Sequence, residues 1–121
     1  MKPKQDLKQR TKLFSLRVIK LVQALPNDKV SAVIGKQLLR SGTSVGANYR
    51  AACRAKSQAD FINKIHISEE EADESLFWME LLTEAEIIEE KRLEELMKEA
   101  NELLAIFSAS VITAKKNRIK P

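Results

Sequence analysis

Gln37-Leu-Leu-Arg-Ser-Gly-Thr-Ser-Val-Gly-Ala-Asn-Tyr-Arg-Ala-Ala-Cys-Arg-Ala55 is the stretch whose reading decides the fold. Taken alone, Ser41-Gly42-Thr43-Ser44 has the composition of a loop. The residues around it argue otherwise. Leu38, Ser41, Val45, Asn48, Tyr49 and Ala52 follow one another largely at steps of three and four, so a single helical face stays in register across the polar centre. This pattern predicts one long helix whose middle is made of small residues, where a second helix backbone can come close. Gly42 and Gly46 are four apart, a spacing that in an apolar 20-residue segment marks packing between membrane helices. Here the flanks are polar, which leaves close packing within a water-exposed bundle.

The chain on either side repeats the helical pattern. From about residue 7 to 25, Phe14, Val18, Leu21, Val22 and Leu25 form an apolar stripe with Lys12, Arg17 and Lys20 between them. Pro26 ends that helix, and Asn27 or Asp28 can cap the next. The second helix spans about 28–55 and also carries Val30 and Ile34 in its apolar set. Ser57-Gln-Ala-Asp60 resembles a capping box and opens a third helix over about 57–85, with Phe61, Ile65, Ser68, Ala72, Leu76, Met79 and Leu82 facing inward. No glycine or proline marks the next connection. A helix continuous from Ser57 to Ala114 would run about 58 residues and roughly 87 Å, too long for one compact domain. A break near Glu86 is therefore predicted, followed by a fourth helix over about 89–114 with Leu93, Leu96, Met97, Ala100, Leu103, Leu104, Phe107 and Val111 inward. The basic residues 115–121 are expected to form a loose tail. Short connections between long helices favour antiparallel neighbours, so the expected fold is all-α, one antiparallel up-down-up-down four-helix bundle over residues 1–121.

Composition narrows the chemistry. No apolar run is long enough to cross a bilayer, and the polar start, Met-Lys-Pro-Lys-Gln-Asp, is not followed by a signal-peptide core; a cytoplasmic location is expected. His66 and Cys53 are the only histidine and cysteine, too few for a zinc site or a nucleophilic triad. Glu71 and Glu74 sit one turn apart, but no Glu-x-x-His pair accompanies them, so the carboxylate-bridged metal sites of helical bundles have no counterpart. No glycine-rich phosphate loop is present. The expectation is a protein without catalytic residues, cofactor or metal.

Charge is the informative property. Residues 59–104 hold 15 acids and 4 bases, whereas the remainder of the chain holds 17 bases and 2 acids. In an up-down-up-down bundle the start of the first helix, the end of the second, the start of the third and the end of the fourth share one end. That end would gather Lys2, Lys4, Lys8, Arg10, Lys12, Arg50, Arg54, Lys56, Lys64, Lys115, Lys116, Arg118 and Lys120; the other end would gather Glu84, Glu86, Glu89 and Glu90. A basic end of this kind can contact nucleic-acid phosphates without reading sequence. The competing reading is a solvated end whose lysines only keep the chain in solution. Ile62, Trp78 and Leu81 on the third helix and Ile106 and Ile112 on the fourth fall off the inward stripes. They are the candidate contacts for self-association.

The stretch Gln37–Arg50, followed by Ser57-Gln-Ala-Asp-Phe-Ile62 and by Glu71-Ala-Asp-Glu-Ser-Leu-Phe-Trp-Met-Glu-Leu-Leu82, resembles the bacterial family named after 23S rRNA intervening sequences. The likeness extends from about Phe14 to Lys115. It implies a four-helix bundle, often a homopentamer, without enzyme activity. The family's relatives include the accessory protein of diversity-generating retroelements, a basic pentameric barrel that binds nucleic acid and a reverse transcriptase. Two positions depart from the family pattern. Ala51 stands where a glutamate is common, and Glu70 where a lysine often precedes the Glu-Ala-Asp-Glu element.

Overall fold

Each of the first three helices begins where a short polar side chain can satisfy a backbone N–H group that has no partner in the first turn. The computed structural model describes residues 6–119, and the helices are α1 (Leu7–Gln23), α2 (Lys29–Cys53), α3 (Gln58–Glu84) and α4 (Glu90–Ile119). Asp6 caps α1 by accepting from the Lys8 N–H. Asp28 caps α2 by accepting from Ser31 N–H at 2.9 Å, and Ser57 caps α3 by accepting from Asp60 N–H at 3.0 Å. The α3–α4 connection, which carries no glycine or proline, is made by Glu86 in the left-handed region at φ 60°. Its conformation lets the N–H groups of Ile87 and Ile88 turn back onto the Leu82 carbonyl at 2.9 and 3.1 Å.

The central stretch is helix as far as Cys53, where Arg54 caps it, and is unbroken across Ser41–Ser44 as its periodicity predicts. Its glycines explain why. Gly42 and Gly46, together with Gly35 seven residues before Gly42, lie on one stripe of α2 turned towards α1. A Cβ on Gly42 would stand 2.8 Å from the Val18 side chain, one on Gly46 would stand 3.3 Å from the Thr11 backbone, and one on Gly35 would stand 2.9 Å from Leu25. The order of these partners, Leu25 to Thr11 against Gly35 to Gly46, makes α1 and α2 antiparallel. The Ser15 hydroxyl, 3.1 Å from the Gly42 carbonyl, ties the two helices together at the same level.

The adjoining face of α2 meets α3 through small hydroxyl residues. Ser68 donates to the Val45 carbonyl at 3.0 Å, and the Ser75 hydroxyl lies 2.9 Å from that of Ser41. Ser41, Ser68 and Ser75 are all buried, and among the described residues no buried side-chain polar atom lacks a hydrogen-bond partner. Gln58 of α3 donates to the Ala114 carbonyl of α4 at 3.2 Å, and Glu69 of α3 accepts from Ser108 of α4. Consecutive helices are thus all antiparallel. Phe14, Val18, Leu38, Val45, Ile65, Met79, Leu82, Leu93, Leu103 and Phe107 form the closed core. α1 and α4 approach each other at few points, and polar side chains bridge that seam.

Three expectations need correction. Val30 is 57% exposed, because the buried stripe of α2 starts at Ser31 and runs through Gly35 and Leu38, leaving Val30 to one side of it. Ile62 is buried in the core and is not on an outer face: α3 packs against both α2 and α4, so it buries two stripes where a single inward stripe was expected. Residues 115–119 continue α4 to Ile119 in place of a loose tail. The side chains of Arg118 and Ile119 and all of residues 1–5 and 120–121 lie outside the described residues, and with them the expected contributions of Lys2, Lys4, Arg118 and Lys120 to the basic end.

Gly42→Ala is expected to destabilise the fold by about 1–3 kcal/mol, since the stiff Val18 side chain cannot step aside. In a Val18→Ala background the same substitution should become neutral or stabilising, because alanine is the better helix former; urea denaturation of the four variants measures the change of sign. Glu86→Gly should stabilise by about 0.5–1 kcal/mol by relieving the left-handed backbone, observed as a higher urea midpoint with unchanged slope.

Candidate functional site

α1 and α2 come together through residues too small to fill the space between them at the open end of their contact. There Gly46, Ala47, Thr11 and Ser15 form the floor of a groove of about 470 Å³. Lys8 and Lys12 of α1 and Arg50 and Arg54 of α2 stand along it, and Asp6 is its single carboxylate. All four cations are exposed, and none makes an ion pair among the described residues. The floor hydroxyls are committed: Thr11 donates to the Leu7 carbonyl at 2.7 Å, and Ser15 lies within reach of the Thr11 and Gly42 carbonyls. The groove therefore offers charge to a ligand, with no spare hydroxyl proton.

Other expected cations surround it with different fates. Lys56, Lys115 and Lys116 are exposed and lie at the same end, since Gln58 bonds the Ala114 carbonyl there; Lys64 is half-buried on α3. Arg10 does not join them. It turns across the α1–α4 seam, where its Nε and Nη2 donate to the two carboxylate oxygens of Glu99 at 2.7 and 2.8 Å and Nη2 also donates to Glu102 at 2.7 Å. The Glu99 hydrogen bond, with further help from Glu102, holds the guanidinium protonated even more firmly than usual. Arg10 is thus the polar bridge of the seam, a role that i, i+3 and i+4 spacing within α1 could not reveal because both acids are some 90 residues away in sequence.

A second polar cluster spans α2 and α3. Arg40 pairs with Glu71 and Glu74, and the Trp78 indole N–H donates to Glu74 at 2.9 Å. The indole hydrogen bond, followed by Arg40, holds the Glu74 carboxyl below the usual carboxylate range. The motif carboxylates Glu71 and Glu74 are therefore engaged in an inter-helix ion pair, and among the described residues no three histidine, cysteine or acidic side chains are grouped to hold a metal. His66 faces Glu69 at 3.2 Å, and Cys53 is an exposed free thiol.

Aromatic side chains are absent from the lining of the cationic groove. Tyr49 packs against Phe107 with ring centroids 6.0 Å apart, and burial, assisted by Cys53 and Asp6, pushes its phenol up to about 12. Apolar surface lies elsewhere. Ile112 is 59% exposed, Leu81 is half-buried, and Ile106 lines an open groove of about 590 Å³ with Phe61, Ala109 and Thr113. Trp78 is half-buried beside the exposed Phe77, their rings edge to face at 5.0 Å. Leu13 and Leu16 on α1 are also exposed; they were not among the expected contacts for self-association, although neither belongs to the inward stripe.

An all-α bundle with a glycine-lined second helix and a cationic groove at one end defines the class. The 23S rRNA-intervening sequence protein family matches residues 4–109, and the chain belongs to that family. A solved structure from Bacteroides thetaiotaomicron VPI-5482, described as a protein with unknown function from the S23 ribosomal protein family, is 38% identical. It superposes with a TM-score of 0.82, covering 88% of this chain and 98% of that one. No protein with a curated description matches. No helix among the described residues is long and apolar enough to cross a membrane.

Replacing Arg10 by Met should destabilise the fold by about 1–2 kcal/mol, because it leaves the largely buried Glu99 carboxylate unpaired. Adding Glu99→Met should recover much of that loss. A double-mutant cycle by thermal unfolding measures the coupling; additivity of the two substitutions would contradict the bridge.

Proposed function

We propose that this protein binds RNA or DNA through backbone phosphates at its basic end, acts without catalysing a reaction, and works in the cytoplasm as a homo-oligomer. The observation that carries the reading is the convergence of Lys8, Lys12, Arg50 and Arg54 on one groove, without an ion pair among the described residues, while Arg10 and Arg40 are engaged by carboxylates. Cations without acidic partners are the ones that can exchange bound counterions for phosphates. Lys56, Lys64, Lys115 and Lys116 extend the same field. The engagement of Tyr49 with Phe107 and the groove's lack of aromatic side chains support binding that does not depend on base identity.

Self-association is supported by apolar surface outside the groove. Leu13, Leu16, Phe77 and Ile112 are each about half exposed or more, and Ile106 sits in an open apolar groove. The family resemblance suggests five copies. These surfaces also favour a second reading, in which the protein is an assembly adaptor and the lysines serve solubility alone.

Fluorescence anisotropy with labelled RNA and DNA across a salt series separates the two. Binding is expected at low salt, with affinity falling steeply as salt rises and with little preference among sequences. Charge reversal at Arg50, Arg54, Lys115 and Lys116 should reduce affinity more than about ten-fold. Absence of binding at low salt, or indifference to those reversals, would leave the adaptor reading; a strict monomer by light scattering would remove the oligomer.

A further inference from the structure

Resting on that nucleic-acid reading, we infer that the α1–α2 groove is a single-strand site: it takes one unpaired strand with successive phosphates directed to its floor, and excludes a duplex from that floor. Lys8 and Lys12 are one helical turn apart on the α1 wall; on the other, Arg50 stands in the last turn of α2 and Arg54 caps its C-terminus. A four-residue step along a helix rises about 6 Å, so Lys8 and Lys12 stand in file along the groove, facing Arg50 and the capping Arg54. Opposed pairs of this kind neutralise a strand from both sides as it passes between them. Asp6, the α1 cap, is the only opposing charge on the lining, and it lies at the mouth where α1 begins.

The shape of the groove selects the strand number. Its floor at Gly46 and Ala47 lies between two helices, each about 10–12 Å across with its side chains, that touch closely below it. A phosphate reaches that floor only by descending between these walls. On a duplex the second backbone lies roughly 6–12 Å away across either groove of the nucleic acid and would meet a wall first. A single strand has no such companion and can turn its bases out to solvent. The committed Thr11 and Ser15 hydroxyls and the absence of an aromatic side chain leave charge as the main recognition element, with the Gln9 amide the one uncharged polar side chain on the lining not committed to a backbone carbonyl. The strand is therefore held without regard to base, and with four phosphates neutralised the slope of log affinity against log salt is about −3.

Ala47 provides the test, because it is exposed, lines the groove and carries no charge. Ala47→Leu plugs the floor with a good helix former and leaves all four cations in place. Anisotropy is measured at low salt with a labelled 12-nucleotide single-stranded DNA and with the same sequence as a blunt duplex. The native chain is expected to bind the single strand at least about ten-fold tighter, and Ala47→Leu should abolish that preference with an unchanged helical circular-dichroism spectrum. A Lys12→Gln/Arg50→Gln variant, whose groove stays open, should weaken single-strand binding about ten-fold and lower the salt slope. Equal affinity for strand and duplex in the native chain, or a preference that survives Ala47→Leu, overturns this inference while leaving the proposed nucleic-acid function intact. Failure of both probes to bind at low salt overturns the function and the inference together.

Discussion

The close approach of α1 to α2 is the constraint on which the rest of the structure depends. It exists because the glycines of α2 line up on one stripe and because Val18 and Thr11 occupy the space that side chains there would have filled. Once α1 is held this tightly on one side of α2, the other side is free to meet α3 through Ser41, Ser68 and Ser75, again residues small enough to let backbones near. α2 thus serves two intimate contacts with two different small-residue faces. The larger apolar side chains, Phe14, Ile65, Met79, Leu103 and Phe107, fill the centre that the four helices enclose. The same small residues that bring α1 and α2 together leave their outer margin underfilled, and there the groove opens.

Electrostatics then sort the arginines and lysines into two groups. Arg10 and Arg40 reach carboxylates on neighbouring helices and act as clasps, one across the sparse α1–α4 seam and one across α2–α3. Lys8, Lys12, Arg50 and Arg54 share a groove whose lining holds the single carboxylate of Asp6. Mutual repulsion within this second group is a cost to the folded chain that a bound polyanion would relieve. The acidic residues are concentrated on α3 and the first half of α4, so the field is directional and would orient an approaching phosphate chain towards the groove.

Periodicity makes most of the fold legible in the sequence. The helix count, a cap at Asn27 or Asp28, the Ser57 cap and the inward residues of α4 follow from local chemistry, which a sequence displays most directly, whereas the break near Glu86 follows from the length that one uninterrupted helix would have. Ile62 departs from its expected place because a one-stripe rule fails for a helix with two packing neighbours, and α3 is such a helix. Gly35 belongs to the glycine stripe but stands seven residues from Gly42, outside the Gly-x-x-x-Gly spacing that marks the other two. The four groove cations are legible as members of a basic end, through topology alone. Arg10 departs from that end because its partners Glu99 and Glu102 come from a distant helix, and no local spacing predicts which way a long side chain turns.

The central claim is that the α1–α2 contact shapes the surface that meets the phosphate backbone. Backbone amide NMR spectra of the protein, titrated with a short single-stranded oligonucleotide at low salt, test it most directly. The account predicts that the largest shifts fall on residues 8–15 and 46–54, with Arg10 side-chain resonances and the acidic half of α3 unmoved. Shifts centred on residues 115–117 or on the open apolar groove around Ile106, with the α1–α2 groove silent, would contradict it.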